Sequence, residues 1–188
     1  MKVLFVSSGN NQWGITPIVK AQGESLKKEG VELDYFTIQG KGVLGYLGNL
    51  PALRERIESF EPDLVHAHYS LSAITASFAC TKPMVVSLMG SDTVISHYMK
   101  WIIALFARLK WQRVIVKSRS MLDNIGLRFA EIIPNGVETN FWQPKEKESS
   151  KRKVGFDIDH PQVVWLAESE TIFKELPIGR TGYWSGGK

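Results

Sequence analysis

Short, almost wholly apolar runs alternate along this chain with longer stretches of helical pattern, and that alternation narrows the fold more than any other feature. Lys2–Ser8 (KVLFVSS), Val31–Ile38, Asp63–Tyr69, Pro83–Met89, Arg113–Ser118 and Glu131–Ile133 read as strands, rich in Val, Ile and Phe. Several are apolar at nearly every position, as strands covered on both faces must be. Between them, residues 17–29, 51–60, 71–80, 94–110 and 119–127 carry helical patterning. Strand–helix alternation implies an α/β fold, a doubly wound parallel sheet with helices on both faces.

The first helix has the clearest ends. Thr16 suits the N-cap, and Pro17 suits the first helical position, where a missing N–H costs nothing. Lys27 and Lys28 favour the negative end of the helix dipole, and Gly30 can take the left-handed conformation just beyond it. Residues 2–38 therefore form a strand–loop–helix–strand module. Its loop, Ser8–Gly14, meets the orphan amides of the helix, and Gly14 would let an anion approach the backbone.

With 188 residues, 44% hydrophobic and 22% charged, the chain closes one core and leaves at most a fragment of a second. Cys80 is the sole cysteine, which excludes an internal disulfide framework and a Cys-based zinc site. The longest apolar run, Trp101–Ala107, falls far short of the about 20 residues of a bilayer span. Met1–Lys2 precedes only a short apolar stretch, and nothing after it reads as a cleavage site. These features suggest a cytoplasmic protein, at most peripheral at the inner face of a membrane.

The net charge of +4 is unevenly spread. Lys145–Lys153 (KEKESSKRK) supplies +3 of it, and its polarity marks a linker or surface excursion. Thr93–Leu122 carries Lys100, Arg108, Lys110, Arg113, Lys117 and Arg119 with no acid. Such a stretch attracts phosphate, whether of a nucleotide, a lipid surface or a nucleic acid, unless it is simply a solvated face. Tyr98–Trp111 (YMKWIIALFARLKW) has the composition of a membrane-surface helix. Its cations do not gather on one face, however, which favours a buried helix packed on the sheet. No motif for reading RNA or DNA is present.

In a doubly wound sheet, ligands bind beyond the carboxyl ends of the strands. The sequence places its polar clusters there: Gly9–Asn11 and Gly14, His68–Ser70, Gly90–Asp92, Ser118–Ser120, and Asn135–Gly136. Gly40–Gly45 (GKGVLG) satisfies G-x-G-x-x-G, but Gly48 and Pro51 interrupt the helix that fingerprint needs, so a mobile surface loop is expected. His66 and His68 alternate on a strand and face one side. A metal would need a third ligand, from Asp92 or His97, so a metal-dependent hydrolase is the lesser alternative. His66 reads as a satisfied core histidine, and His68 as the one able to meet a ligand. No G-x-S-x-G, Walker A or H-E-x-x-H is present.

Pro62–Tyr69 (PDLVHAHY), Val85–Asp92 (VVSLMGSD), Val116–Met121 (VKSRSM) and above all Ile133–Pro144 (IPNGVETNFWQP) together resemble the N-terminal half of family-4, or group 1, glycosyltransferases of the GT-B architecture. The resemblance covers about residues 1–144. It implies a Rossmann-like domain facing a second one across a cleft, and a retaining transfer of sugar from a nucleotide-sugar donor to a sugar or lipid-linked acceptor. It further implies that Gly14 lies near the donor phosphates and that His68 reaches the transferred sugar. Gly90, Ser91 and Asp92 would flank the acceptor pocket, and Asn135 and Gly136 the cleft floor. No cofactor or metal is implied.

This chain departs from the family pattern at Trp13, where a glycine is usual, and at Met89, where histidine is common. The family's second domain should bring an Arg/Lys pair and a Glu-x7-Glu motif. Glu168 and Glu175 are one residue short of that spacing. The resulting expectation is a Rossmann-like domain over 1–144, a charged linker over 145–160, and a partly disordered remnant of a truncated donor domain over 161–188. Such a chain would be inactive alone. The alternative is a non-catalytic binding module that pairs with a separate donor domain or an anionic membrane surface.

Overall fold

The computed structural model describes residues 1–12, 14–93 and 96–136, all within the unit Met1–Pro144. The linker expected at 145–160, the remnant at 161–188, Trp13 and the later part of the Ile133–Pro144 motif lie outside the described residues. Six strands, β1 (Lys2–Ser8), β2 (Glu32–Ile38), β3 (Leu64–His68), β4 (Met84–Ser87), β5 (Arg113–Val116) and β6 (Glu131–Ile132), form one sheet. They lie in the order β2-β1-β3-β4-β5-β6, and every pairing is parallel. The expected Rossmann-like doubly wound sheet is present.

The apolar strands are explained by cover on two sides. Along β1, Leu4 and Val6 belong to the larger core cluster, whereas Val3 and Phe5 belong to a smaller one. The larger cluster gathers side chains from α3 (Leu50–Phe60), α4 (Ser70–Ala79), α5 (His97–Leu109) and α6 (Arg119–Ile125). The smaller one receives Val19 from α1 (Pro17–Lys28), on the opposite face of the sheet. Because successive side chains alternate across a strand, both faces of β1 are apolar and both are filled.

Helix α1 begins at Pro17 and ends where Gly30 takes φ 82°, as its sequence indicates. Thr16 holds the N-cap position with extended backbone, but its hydroxyl makes no capping bond. In α5 the buried residues are Ile103 and Ala107, while Tyr98, Trp101, Leu105 and Leu109 stand exposed. The expected buried helix packed on the sheet holds for one side of α5 only: the helical period sends one apolar stripe inward and a second outward.

The glycine-rich segment after β2 is not the mobile loop its composition suggests. Gly42–Leu47 forms a short helix, α2, and buries Tyr46. Two constraints hold it. Asn49 donates from Nδ2 to the carbonyls of Gln39 and Gly45, both at 2.7 Å, and its Oδ1 accepts from Gln39 N–H at 3.1 Å. The backbones of Gly40 and Gly45 also touch: a Cβ on Gly45 would lie 2.8 Å from the Gly40 carbonyl carbon. Those two glycines serve close approach rather than flexibility. Gly45→Ala should therefore lower stability by about 2 kcal/mol, read from the denaturant midpoint. Wild-type stability in that variant would show that the contact is not constraining.

Candidate functional site

The strand order reverses between β1 and β3, since the chain leaves β1 toward β2 on one side and returns to build β3 on the other. Crevices open at the carboxyl ends of strands around such a reversal. A cavity of about 440 Å³ lies there, lined by Ser7 and Ser8 of β1, His68 and Tyr69 at the end of β3, and Met89 and Ser91 after β4. The remaining wall comes from Asn10, Thr16, Val19, Lys41, Gly42 and Tyr46.

The first loop is tied down by its own amides and side chains. Asn10 donates from Nδ2 to the Gly40 carbonyl at 2.6 Å and accepts the Gly40 N–H at 2.9 Å. That reciprocal pair joins the β1 loop to the approach to α2. Gly9 is required beside that pair, because a Cβ there would lie 2.8 Å from Thr37 Cβ, an atom fixed to the β2 backbone. Gly14 takes φ 68° with open space where a side chain would stand, and Asn11 Nδ2 donates to its carbonyl at 3.0 Å. Gly14 sits on this loop but is not among the residues lining the cavity.

His66 and His68 stack with ring centroids 4.3 Å apart and pack against Phe5. His66 Nε2 lies 2.9 Å from Ser87 Oγ, which also receives the Lys117 ammonium at 3.4 Å. His66 is accordingly a partnered core residue, as the sequence indicates. Burial, reinforced by Lys117, pushes its imidazole down to about 4. His68 is 1% exposed, and neither ring nitrogen has a hydrogen-bond partner in the protein. Burial, then His66 and Lys117, hold it neutral, well below the usual histidine range. A neutral imidazole with both nitrogens buried and unpartnered beside a cavity has one hydrogen bond left to donate and one to accept.

Asp92 is fully buried. Its Oδ1 accepts from Ser70 Oγ at 2.6 Å and from Ser70 N–H at 3.2 Å, and its Oδ2 accepts from Met89 N–H at 2.7 Å. Burial raises its pKa, and the bonds from Ser70 and Met89 oppose that rise. The carboxylate thus clamps the 3-10 turn Gly90–Thr93 to the start of α4. Between His68 and Ser70, Tyr69 takes φ 80° and ψ 142°, a backbone conformation costing about 1–3 kcal/mol outside glycine. Asp92 fixes the residue after it, and Ser87 O accepts its own N–H at 2.9 Å.

Of the strand-end residues singled out in the sequence, the structure brings Asn10, His68, Tyr69 and Ser91 to the cavity wall. Gly90 is exposed on the same turn, and Asp92 lies beneath it. Asn135 and Gly136 are exposed after β6, at the same edge of the sheet but three strand spacings, about 14 Å, from β3. Lys41 and Tyr46 went unnoticed because glycines masked the short helix; the apolar Val43, Leu44, Tyr46 and Leu47 were its signal. Met89 lines the cavity and also packs against the smaller core cluster. Among the described residues no group of three His, Cys, Asp or Glu could hold a metal ion, so the His pair gains no third ligand from Asp92 or His97.

The family model described as Glycosyltransferase Family 4 matches residues 15–141. Among solved structures, the chain is similar to Anabaena HepE in complex with UDP-glucose, at 18% identity and TM-score 0.55, over 82% of this chain and 50% of that one. It is similar to sucrose-phosphate synthase from Thermosynechococcus elongatus at 13% identity and TM-score 0.63, over 85% and 54% of the two chains. Acinetobacter baumannii MurG gives 11% identity and TM-score 0.50, over 85% and 50%. At such identities the likeness shows the fold, and the chain spans about half the length of each structure. No curated protein matches the chain.

Two outcomes follow from the buried histidines. His68→Leu should raise stability by about 1–2 kcal/mol, because it removes two unsatisfied polar atoms from the interior; a lower denaturant midpoint would show that the ring has partners. His66 is neutral in the fold, so its contribution is complete above the unfolded value of 6.5 and is lost as pH falls through about 4. The associated loss is roughly 3 kcal/mol. Imidazole titration by NMR checks it, and a His66 value near 6.5 would contradict it.

Proposed function

The chain belongs to glycosyltransferase family 4, whose model spans more than half of it, and from that membership we propose that the described domain is the acceptor-side half of an enzyme making a retaining sugar transfer. In that reaction the bond between the anomeric carbon and the donor diphosphate breaks. An acceptor hydroxyl oxygen bonds to the same carbon on the same face, and the acceptor proton departs with the nucleoside diphosphate. The observation that carries the reading is His68: a neutral imidazole with both nitrogens unpartnered, at the wall of a cavity on the switch point of a parallel sheet. Its role is to hold a hydroxyl of the transferred sugar.

Gly14, open at φ 68° near the N-terminus of α1, is read as the approach for donor phosphate. Ser91 and the exposed Gly90 form the acceptor side, and Asp92 positions them from below. Asn135 and Gly136 are assigned to the floor of a wider cleft that a second domain would complete. Negative charge developing on the departing diphosphate would be stabilised by backbone amides and cations. The relevant partners are a nucleotide-sugar and a sugar or lipid-linked acceptor. Because HepE was solved with UDP-glucose, that donor is the first to try.

Saturation-transfer NMR of the whole chain with glucose and UDP-glucose tests the reading. The sugar protons should receive saturation, and His68→Leu should weaken the interaction about tenfold, the effect of about 1.4 kcal/mol from one lost hydrogen bond. Equal binding by folded His68→Leu would overturn the role given to His68. No Glu-x7-Glu spacing occurs over residues 168–188, where the donor-side motif would follow, so the chain assayed alone should show binding without turnover. Sugar transfer by the isolated chain would refute that division of labour.

A further inference from the structure

The outward side of α5 is apolar where a surface helix should be polar. Inward, Ile103 and Ala107 are buried and Met99 and Phe106 pack against the core, which satisfies the sheet. Outward, Tyr98, Trp101, Leu105 and Leu109 are 72%, 63%, 39% and 70% exposed. At 100° per residue these four fall within an arc of about 80°, in line along the helix. Phe78 of α4, also exposed, meets Phe106 edge-on at 5.5 Å and widens the patch beyond α5. Single exposed apolar side chains need no explanation, but a contiguous stripe of them marks an interaction surface.

Charge and residue type identify what the stripe fits. Residues 93–122 contain six cations and no acid. Of these, Arg108 and Lys110 are exposed at the C-terminal end of α5, while Lys100 reaches the Asn124 carbonyl at 2.9 Å. Arg113 lies 3.5 Å from Glu131, and Arg119 lies 3.4 Å from Asp123. A bilayer with anionic headgroups offers an apolar layer and dense negative charge within a few ångströms of each other, and Trp and Tyr favour that boundary. We propose that the outer face of α5 docks on an anionic lipid surface. Tyr98, Trp101, Leu105 and Leu109 enter the boundary between headgroups and acyl chains, and Arg108 and Lys110 sit among the headgroups. The helix starts six residues after Ser91 of the cavity wall, so docking brings that edge of the domain toward the lipid. Only the corollary, that a lipid-linked acceptor would reach the cavity from the bilayer, rests on the transferase reading.

Flotation of the full chain with phosphatidylcholine vesicles, with and without about one third phosphatidylglycerol, tests the proposal without donor or acceptor. The chain should float with the anionic vesicles at low salt and leave them at high salt. Trp101→Ser with Leu105→Ser, and separately Arg108→Glu with Lys110→Glu, should each lower vesicle affinity by roughly tenfold or more while circular dichroism stays unchanged. All four side chains are exposed, and if one pair fails to fold the other still decides. No flotation at low salt, or wild-type flotation by either folded pair, would overturn the proposal. So would concentration-dependent dimers, abolished by Trp101→Ser with Leu105→Ser, in a chain that ignores vesicles. Because no sugar chemistry enters the assay, failure of transfer leaves this result intact.

Discussion

A single buried carboxylate couples the two halves of the candidate site. Asp92 accepts three hydrogen bonds, two from Ser70 and one from Met89, and so fastens the turn after β4 to the first residue of α4. Burying a carboxylate is costly unless its lone pairs are filled, and here they are filled by groups that would otherwise be orphans at a helix start and a strand end. With that clamp in place, Tyr69 is held in a backbone conformation unfavourable for its type, and His68 leaves β3 at a fixed angle. The geometry of the cavity follows from an interaction that never reaches its surface.

Electrostatics beneath the cavity work in the same direction. Lys117, Ser87 and His66 form a buried polar line, and His68 stacks on its end. Two charged imidazoles 4.3 Å apart above a half-buried ammonium would repel strongly, so the arrangement is stable only with both rings neutral. An uncharged ring suits the holding of a hydroxyl, because it lends orientation without attracting counterions into the cavity. Lys117 shapes the site through its field, from one strand beyond β4.

Much of the fold was legible because it depends on pattern. Strands buried on both faces must be apolar throughout, so KVLFVSS and RVIV announced themselves, and Pro17 and Gly30 marked the ends of α1 through backbone chemistry alone. The strand-end rule also brought His68 and Ser91 to the right edge. What stayed hidden depends on contacts between distant residues. The Gly40–Gly45 approach looks like flexibility in a string of letters, although it is a packing constraint. Asp92 reads as an acid that flanks the acceptor pocket until Ser70 is seen to fold over it. The outward stripe of α5 was masked because attention to Lys100, Arg108 and Lys110 obscured the spacing of Tyr98, Trp101, Leu105 and Leu109. Asn135, grouped with the others by its place at a strand end, lies several strands away from His68.

The position of β1 has a consequence for how the polypeptide is made. Of the six described strands β1 is made before the others, and it lies between β2 and β3 in the finished sheet. Its partner Leu64 is not yet synthesised when β2 emerges. Until then Val3–Val6 can pair on one edge alone, in a two-stranded sheet that is marginal in water. A nascent chain with that run exposed and one edge open has the features that recruit chaperones and seed aggregates. The stretch from α2 through α3, made between β2 and β3, sets how long that edge of β1 stays open.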